Sequence, residues 1–144
     1  MTRLALLVSL LLGSAVAHAD ALPGFAERFI AAFHAMHEAS ATAADVDRLL
    51  GLCTDDVVYE HARVGAVVRG KSQLRAGFVA HLGEIRADRT QVVRSAQGPR
   101  FVAIEVLRTF EVKDGDAWRP ASRKQLLILE RNDQDRIRRV LDDW

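Results

Sequence analysis

The chain has a single cysteine, Cys53, in 144 residues, so no intramolecular disulfide can staple it even in an oxidising compartment. A charge excess is also missing: 20 Lys and Arg face 19 Asp and Glu, a formal net charge of +1. Proteins that grip nucleic acid in general need a basic face, and this balance argues against that class. The densest basic group, Arg136, Arg138 and Arg139, reads as a solvated strand end. No internal repeat, low-complexity tract or long linker interrupts the chain. Its strongest apolar run, residues 4–12, is too short to span a bilayer as a permanent helix.

That run has another reading. Arg3 gives a positive start, residues 4–12 an apolar centre, and Ala17-His18-Ala19 a small-x-small cleavage pattern. Residues 1–19 are therefore expected to be a cleaved signal peptide, and residues 20–144 a single exported domain, periplasmic or secreted. No cysteine closely follows the cleavage site, so a lipid anchor is not expected. Removing 19 of 144 residues leaves 125, enough for one compact core.

The first half has helical periodicity. Pro23 suits a first helical residue, and Phe25, Phe29, Phe33 and Met36 then form one apolar stripe. His34 and His37 lie one turn apart on its flank. Their spacing permits a shared metal, but a site needs three or four ligands, so no metal is expected. Thr42 or Asp45 caps the next helix, where Val46, Leu49, Leu50 and Cys53 repeat with helical spacing, making Cys53 a buried thiol. Ser72 opens a third helix, with Leu74, Phe78, Leu82 and Ile85 on its buried face and His81 at the border.

Between the second and third helices lies the stretch with most chemistry, residues 54–72. Asp55-Asp56 read as turn residues, and residues 57–61 alternate as a strand. Alternation puts Val57, Tyr59 and His61 on one face, a phenol beside an imidazole. Further on, residues 65–72 match the literal G-x-x-x-x-G-K-[ST] pattern of a phosphate-binding loop. Val67-Val68 favour extended backbone over a curled nest, so a turn and helix cap are the expectation there.

From about residue 90 the pattern changes to strands: 90–95, 101–112 and 123–131, with a closing strand at 137–144. Gly98-Pro99, Asp114-Gly115 and Asn132-Asp133 separate them. Val102, Ile104, Val106, Arg108 and Phe110 share one strand face. Helices first and hairpin-linked strands afterwards indicate an α+β domain with an antiparallel sheet.

The order of elements, with residues 45–52, 54–61, 68–74 and 137–144, resembles the nuclear transport factor 2-like superfamily. More narrowly, it is similar to SnoaL-like and ketosteroid-isomerase-like domains across nearly all of the mature chain. The resemblance implies a cone-shaped, curved antiparallel sheet against three N-terminal helices, an internal apolar pocket, and often a homodimer through the sheet. Leu107 and Leu129 are the expected anchors of that contact. In the isomerases the base closes the pattern Asp-Asp-x-x-x-Glu-Asp. This chain reads Asp55-Asp56-Val-Val-Tyr-Glu60-His61, which puts His61 in the base position. The two oxyanion donors of that mechanism fall at Phe29 and near Leu127, so the usual steroid isomerisation is not expected.

Strand parity and the resemblance together place Tyr59, His61, Val106, Arg108 and Phe110 toward the cavity, with Phe29, Phe33 and Leu127 also expected to line it. Histidine is the side chain suited to acid or base work near neutrality, Tyr59 can donate, and an inward Arg108 can hold a carboxylate or enolate oxygen. Asp142 shares parity with Val140 and can orient the histidine. In the bland alternative Arg108 pairs with Glu105 or Glu111, and His61 is satisfied by a neighbour. The expectation is an exported module that binds a small, mostly apolar molecule without a cofactor. The alternative is an enzyme that uses His61, Tyr59 and Asp142 for proton transfer on a small carbonyl or carboxylate compound.

Overall fold

The computed structural model describes residues 21–143; the expected signal peptide lies outside the described residues. Two helices open the chain, α1 (Gly24–Ala35) and α2 (Ala43–Gly51). Strand β1 (Cys53–His61), a short 3-10 turn (Ala62–Val64), β2 (Ala66–Arg69) and α3 (Lys71–Ala80) follow. Four strands complete it: β3 (Ile85–Gln97), β4 (Phe101–Asp114), β5 (Ala117–Arg131) and β6 (Ile137–Asp143). The six strands form one curved, unclosed sheet in the order β2-β1-β6-β5-β4-β3, with the helices packed on it. The α+β cone expected from the sequence is the observed fold. Its sheet is mixed, because β1 runs parallel to β6 while the other four pairings are antiparallel.

Burial follows the periodicities that the side chains set up. On α1 Phe25 and Phe29 are buried, as is Met36 at its C-cap, and Phe33 packs at the core's margin. Pro23 is the cap of this helix rather than its first residue. Thr42 is the cap of α2, and Asp45 completes a capping box by accepting from the Thr42 N–H at 2.9 Å. Along β4 every second residue from Val102 to Phe110 is buried, and Leu127 and Leu129 of β5 face them across the pairing. Leu129 is thus part of the core and cannot anchor a contact on the outer face; Leu107 has the opposite parity and is half-buried.

Three local expectations change. Cys53 starts β1 rather than ending α2, although its buried thiol still reaches the Leu49 carbonyl, and burial pushes that thiol up to about 11. Asp55 and Asp56 lie within β1, where its pairing with β6 is irregular, instead of forming a turn. Ile85 begins β3, because α3 stops at Ala80 and Gly83 turns the chain at φ +78°. Between Gly65 and Gly70 the backbone is strand β2, paired with β1, not a phosphate-wrapping nest. Gly70, at φ +81°, donates its N–H to the Val57 carbonyl at 2.7 Å and turns the chain into α3.

Candidate functional site

The concave side of the sheet and the inner faces of α1 and α3 enclose a pocket of about 490 Å³. That volume falls within the roughly 300–1,000 Å³ usual for small-molecule sites. Its walls are largely apolar: Phe33 and Met36 from the α1 end, Leu74 and Phe78 from α3, Val68 from β2, Phe110 from β4. Phe78 meets the Tyr59 ring edge to face, centroids 5.6 Å apart, so the aromatic wall runs down to the polar floor.

Adjacent strands supply a row of polar side chains whose members Tyr59, Arg108 and Asp142 form the pocket's floor, with Gln125 and Asp88 behind them. Tyr59 donates its phenolic O–H to Asp142 Oδ2 at 2.8 Å. Gln125 donates its amide to Asp142 Oδ1, and Gln125 Oε1 lies 3.5 Å from an Arg108 nitrogen. Arg108 donates twice to Asp88, at 3.1 and 2.6 Å. His61 Nδ1 stands 3.8 Å from Asp142 Oδ2, an electrostatic pairing rather than a hydrogen bond. The register explains the gathering: Asp142 is the cross-strand partner of both His61 on β1 and Leu127 on β5.

Burial decides the electrostatics. Asp142, Gln125, Asp88 and Arg108 are 2 %, 3 %, 5 % and 6 % exposed, so each must be satisfied within the protein. Desolvation, then the Asp142 carboxylate, pushes the Tyr59 phenol well above its ordinary range, which keeps it a donor. Arg108 also lies between the Phe33 and Phe110 rings, 5.1 and 5.3 Å from their centroids, with Arg123 on Phe110 at 4.9 Å. Burial, then the Arg108 charge, lowers the pKa of Arg123.

The pocket brings together Tyr59, His61, Asp142, Phe33, Arg108 and Phe110. Phe29, Val106 and Leu127 do not line it; they surround a separate cavity of about 20 Å³ together with Phe33, Arg108 and His34. Arg108 does not pair with Glu105 or Glu111, which bind Arg94 and Arg86. Nor does it stand ready to receive a ligand's acid group, since Asp88 neutralises it. His34 and His37 line different cavities. Among the described residues, no group of three or more His, Cys, Asp and Glu side chains is arranged to hold a metal ion.

Three participants were not legible in advance: Asp88, Gln125 and His37 as a pocket residue. Asp88 sits in the charged run Arg86-Ala-Asp-Arg89, which reads as solvated. The irregular pairing between Arg86 and Arg89, with Ala87 at φ +52°, turns it inward. Gln125 had a signal, since it lies two residues before Leu127 on the same strand face.

Residues 26–140 match the SnoaL-like domain, and the chain belongs to that family. No curated protein matches the chain. Among solved structures, a candidate SnoaL-like polyketide cyclase from Shewanella putrefaciens superposes with a TM-score of 0.70 at 12 % identity, covering 98 % of this chain and 91 % of that one. A protein with a ketosteroid isomerase-like fold from Catenulispora acidiphila, in complex with trimethylamine, gives 0.68 at 16 % identity over 86 % and 87 %. An LEH-like epoxide hydrolase of M. tuberculosis gives 0.61 at 20 % identity over 83 % and 78 %. At these identities the likeness is one of fold.

Proposed function

We propose that the mature domain is exported and binds a small, mostly apolar molecule in the pocket of about 490 Å³, its polar end toward Tyr59, His61 and Asp142. The carrying observation is that the floor's buried donors are already spent on each other. Tyr59 and Gln125 serve Asp142, and Arg108 serves Asp88, while apolar walls enclose the space above them. A floor so satisfied is rigid and gives a ligand shape and a polar rim rather than a loose set of reactive groups. Export rests on Arg3, the apolar residues 4–12 and Ala17-His18-Ala19. A homodimer through the outer face of the sheet accompanies this reading, where Phe101 and Leu126 are 42 % and 38 % exposed. The test is a small-molecule library followed by amide shifts of the labelled domain. Shifts clustered at Phe33, Tyr59, His61 and Phe78 support the pocket; shifts elsewhere, or none, refute it.

One observation favours turnover as a second reading. His61 lines the pocket within 3.8 Å of a carboxylate that Tyr59 and Gln125 hold in place. Such an imidazole can move a proton on a small carbonyl or carboxylate compound, in an isomerase, cyclase or hydrolase-like step. The folds named above belong to proteins described as a candidate cyclase and an epoxide hydrolase, which keeps this class open. A His61→Ala protein that still binds but no longer converts the ligand supports it; unchanged conversion removes it.

A further inference from the structure

His37 stands two residues past the end of α1, on the pocket's wall. Its ring lies edge-on to Phe33 with centroids 4.6 Å apart. Nδ1 is 2.8 Å from the backbone carbonyl oxygen of Phe33. A carbonyl can only accept, so Nδ1 carries the hydrogen and donates it. Asp88 Oδ2, 3.5 Å from the same nitrogen, also favours a proton there. The remaining polar atom, Nε2, makes no hydrogen bond among the described residues, and it is not one of the polar atoms sealed away without a partner. The side chain keeps 15 % of its surface exposed.

The charge state follows from the surroundings. Burial, then the guanidinium of Arg108, pushes His37 down to about 4; Asp88 and the Phe33 carbonyl pull the other way, and His34 adds to the lowering. At neutral pH the ring is uncharged and Nε2 bears a lone pair. So weak a base abstracts protons poorly, yet it accepts a hydrogen bond across the whole physiological range.

We propose that His37 Nε2 is a fixed hydrogen-bond acceptor in the pocket and selects ligands that carry a hydroxyl or N–H donor. The inference rests on the reading of the pocket as a ligand site. The selection works through desolvation. A ligand lacking a donor strips water from Nε2 and returns nothing, whereas a donor replaces the lost bond. His37 thereby sets which end of the molecule faces the α1 wall, while His61 and Asp142 meet the other side.

The test uses two isosteric probes, indole, which has an N–H, and benzofuran, which does not. Titration calorimetry on the wild-type domain is expected to show indole binding on the order of tenfold more tightly. In His37→Phe the ratio of the two affinities is expected to fall to about one. Equal affinities in the wild type, or a preference that survives His37→Phe, overturn the inference and leave the pocket standing. Binding of neither probe overturns both. Nitrogen-15 spectra of the unaltered domain at neutral pH give a check that needs no variant. They are expected to show a protonated Nδ1 and a bare Nε2 for His37; the opposite tautomer, or an imidazolium, contradicts the assignment.

Discussion

Tyr59 and Asp142, 83 residues apart in the chain, meet at 2.8 Å where β1 runs parallel to β6. Both residues are almost wholly buried, at 3 % and 2 % exposure. The phenol therefore neutralises no charge, yet supplies one of the hydrogen bonds that let a carboxylate remain beneath an apolar pocket.

Tyr59→Phe is expected to leave Asp142 Oδ2 short of a donor and cost roughly 1–3 kcal/mol of stability. Urea unfolding measures it. An unchanged midpoint would show that water or His61 replaces the phenol without loss.

The Arg108–Asp88 pair is held by two hydrogen bonds, at side-chain exposures of 7 % and 0 %. Asp88→Ala leaves a buried guanidinium uncompensated and is expected to cost about 3–5 kcal/mol. The double variant Asp88→Leu with Arg108→Met removes both charges and is expected to recover much of that loss. A double variant no more stable than Asp88→Ala alone contradicts the pairing.

His37, pushed down to about 4, makes stability depend on pH. Between that value and the ordinary histidine range near 6.5, the unfolded chain binds a proton that the folded one refuses. Stability is thus expected to be full above pH ~6.5 and to fall as pH drops toward ~4, by an amount on the order of 3 kcal/mol. In His37→Phe this part of the slope is expected to disappear. A slope of equal size in the variant assigns the effect to other groups.

Ala87 adopts φ +52°, a left-handed backbone that costs an L-residue roughly 1–2 kcal/mol. Ala87→Gly is expected to be neutral or mildly stabilising, and Ala87→Val, whose branched side chain tolerates that region worst, to be destabilising. Thermal melting of the two variants tests it. The reverse order would mean that Ala87 is not left-handed in solution.

Much of this architecture was legible because the alternation is strong where a strand has one wet and one dry face. Residues 57–61 and 102–110 announce their inward sets, and through them Tyr59, His61, Arg108 and Phe110. The partners of those residues were harder to find. Arg108 had nearby glutamates as plausible mates, but they lie on the opposite strand face, and its true mate comes from a kink in β3. Alternation cannot anticipate such a kink, since a residue added to one strand inverts the parity beyond it. The parallel pairing of β1 with β6 was equally hidden, because hairpin turns identify only antiparallel neighbours.

Occupation of the pocket beneath α3 by a ligand can be tested at Gly77. It lies on α3, lines the pocket, and an added Cβ there meets nothing within 4 Å. Gly77→Phe therefore adds a ring at the pocket's α3 wall with no clash at its Cβ. The measurement is affinity for whatever small molecule the wild-type domain retains or selects from a library. Binding is expected to be lost in Gly77→Phe while thermal stability holds or rises slightly. Undiminished binding to a folded Gly77→Phe protein would place the site elsewhere.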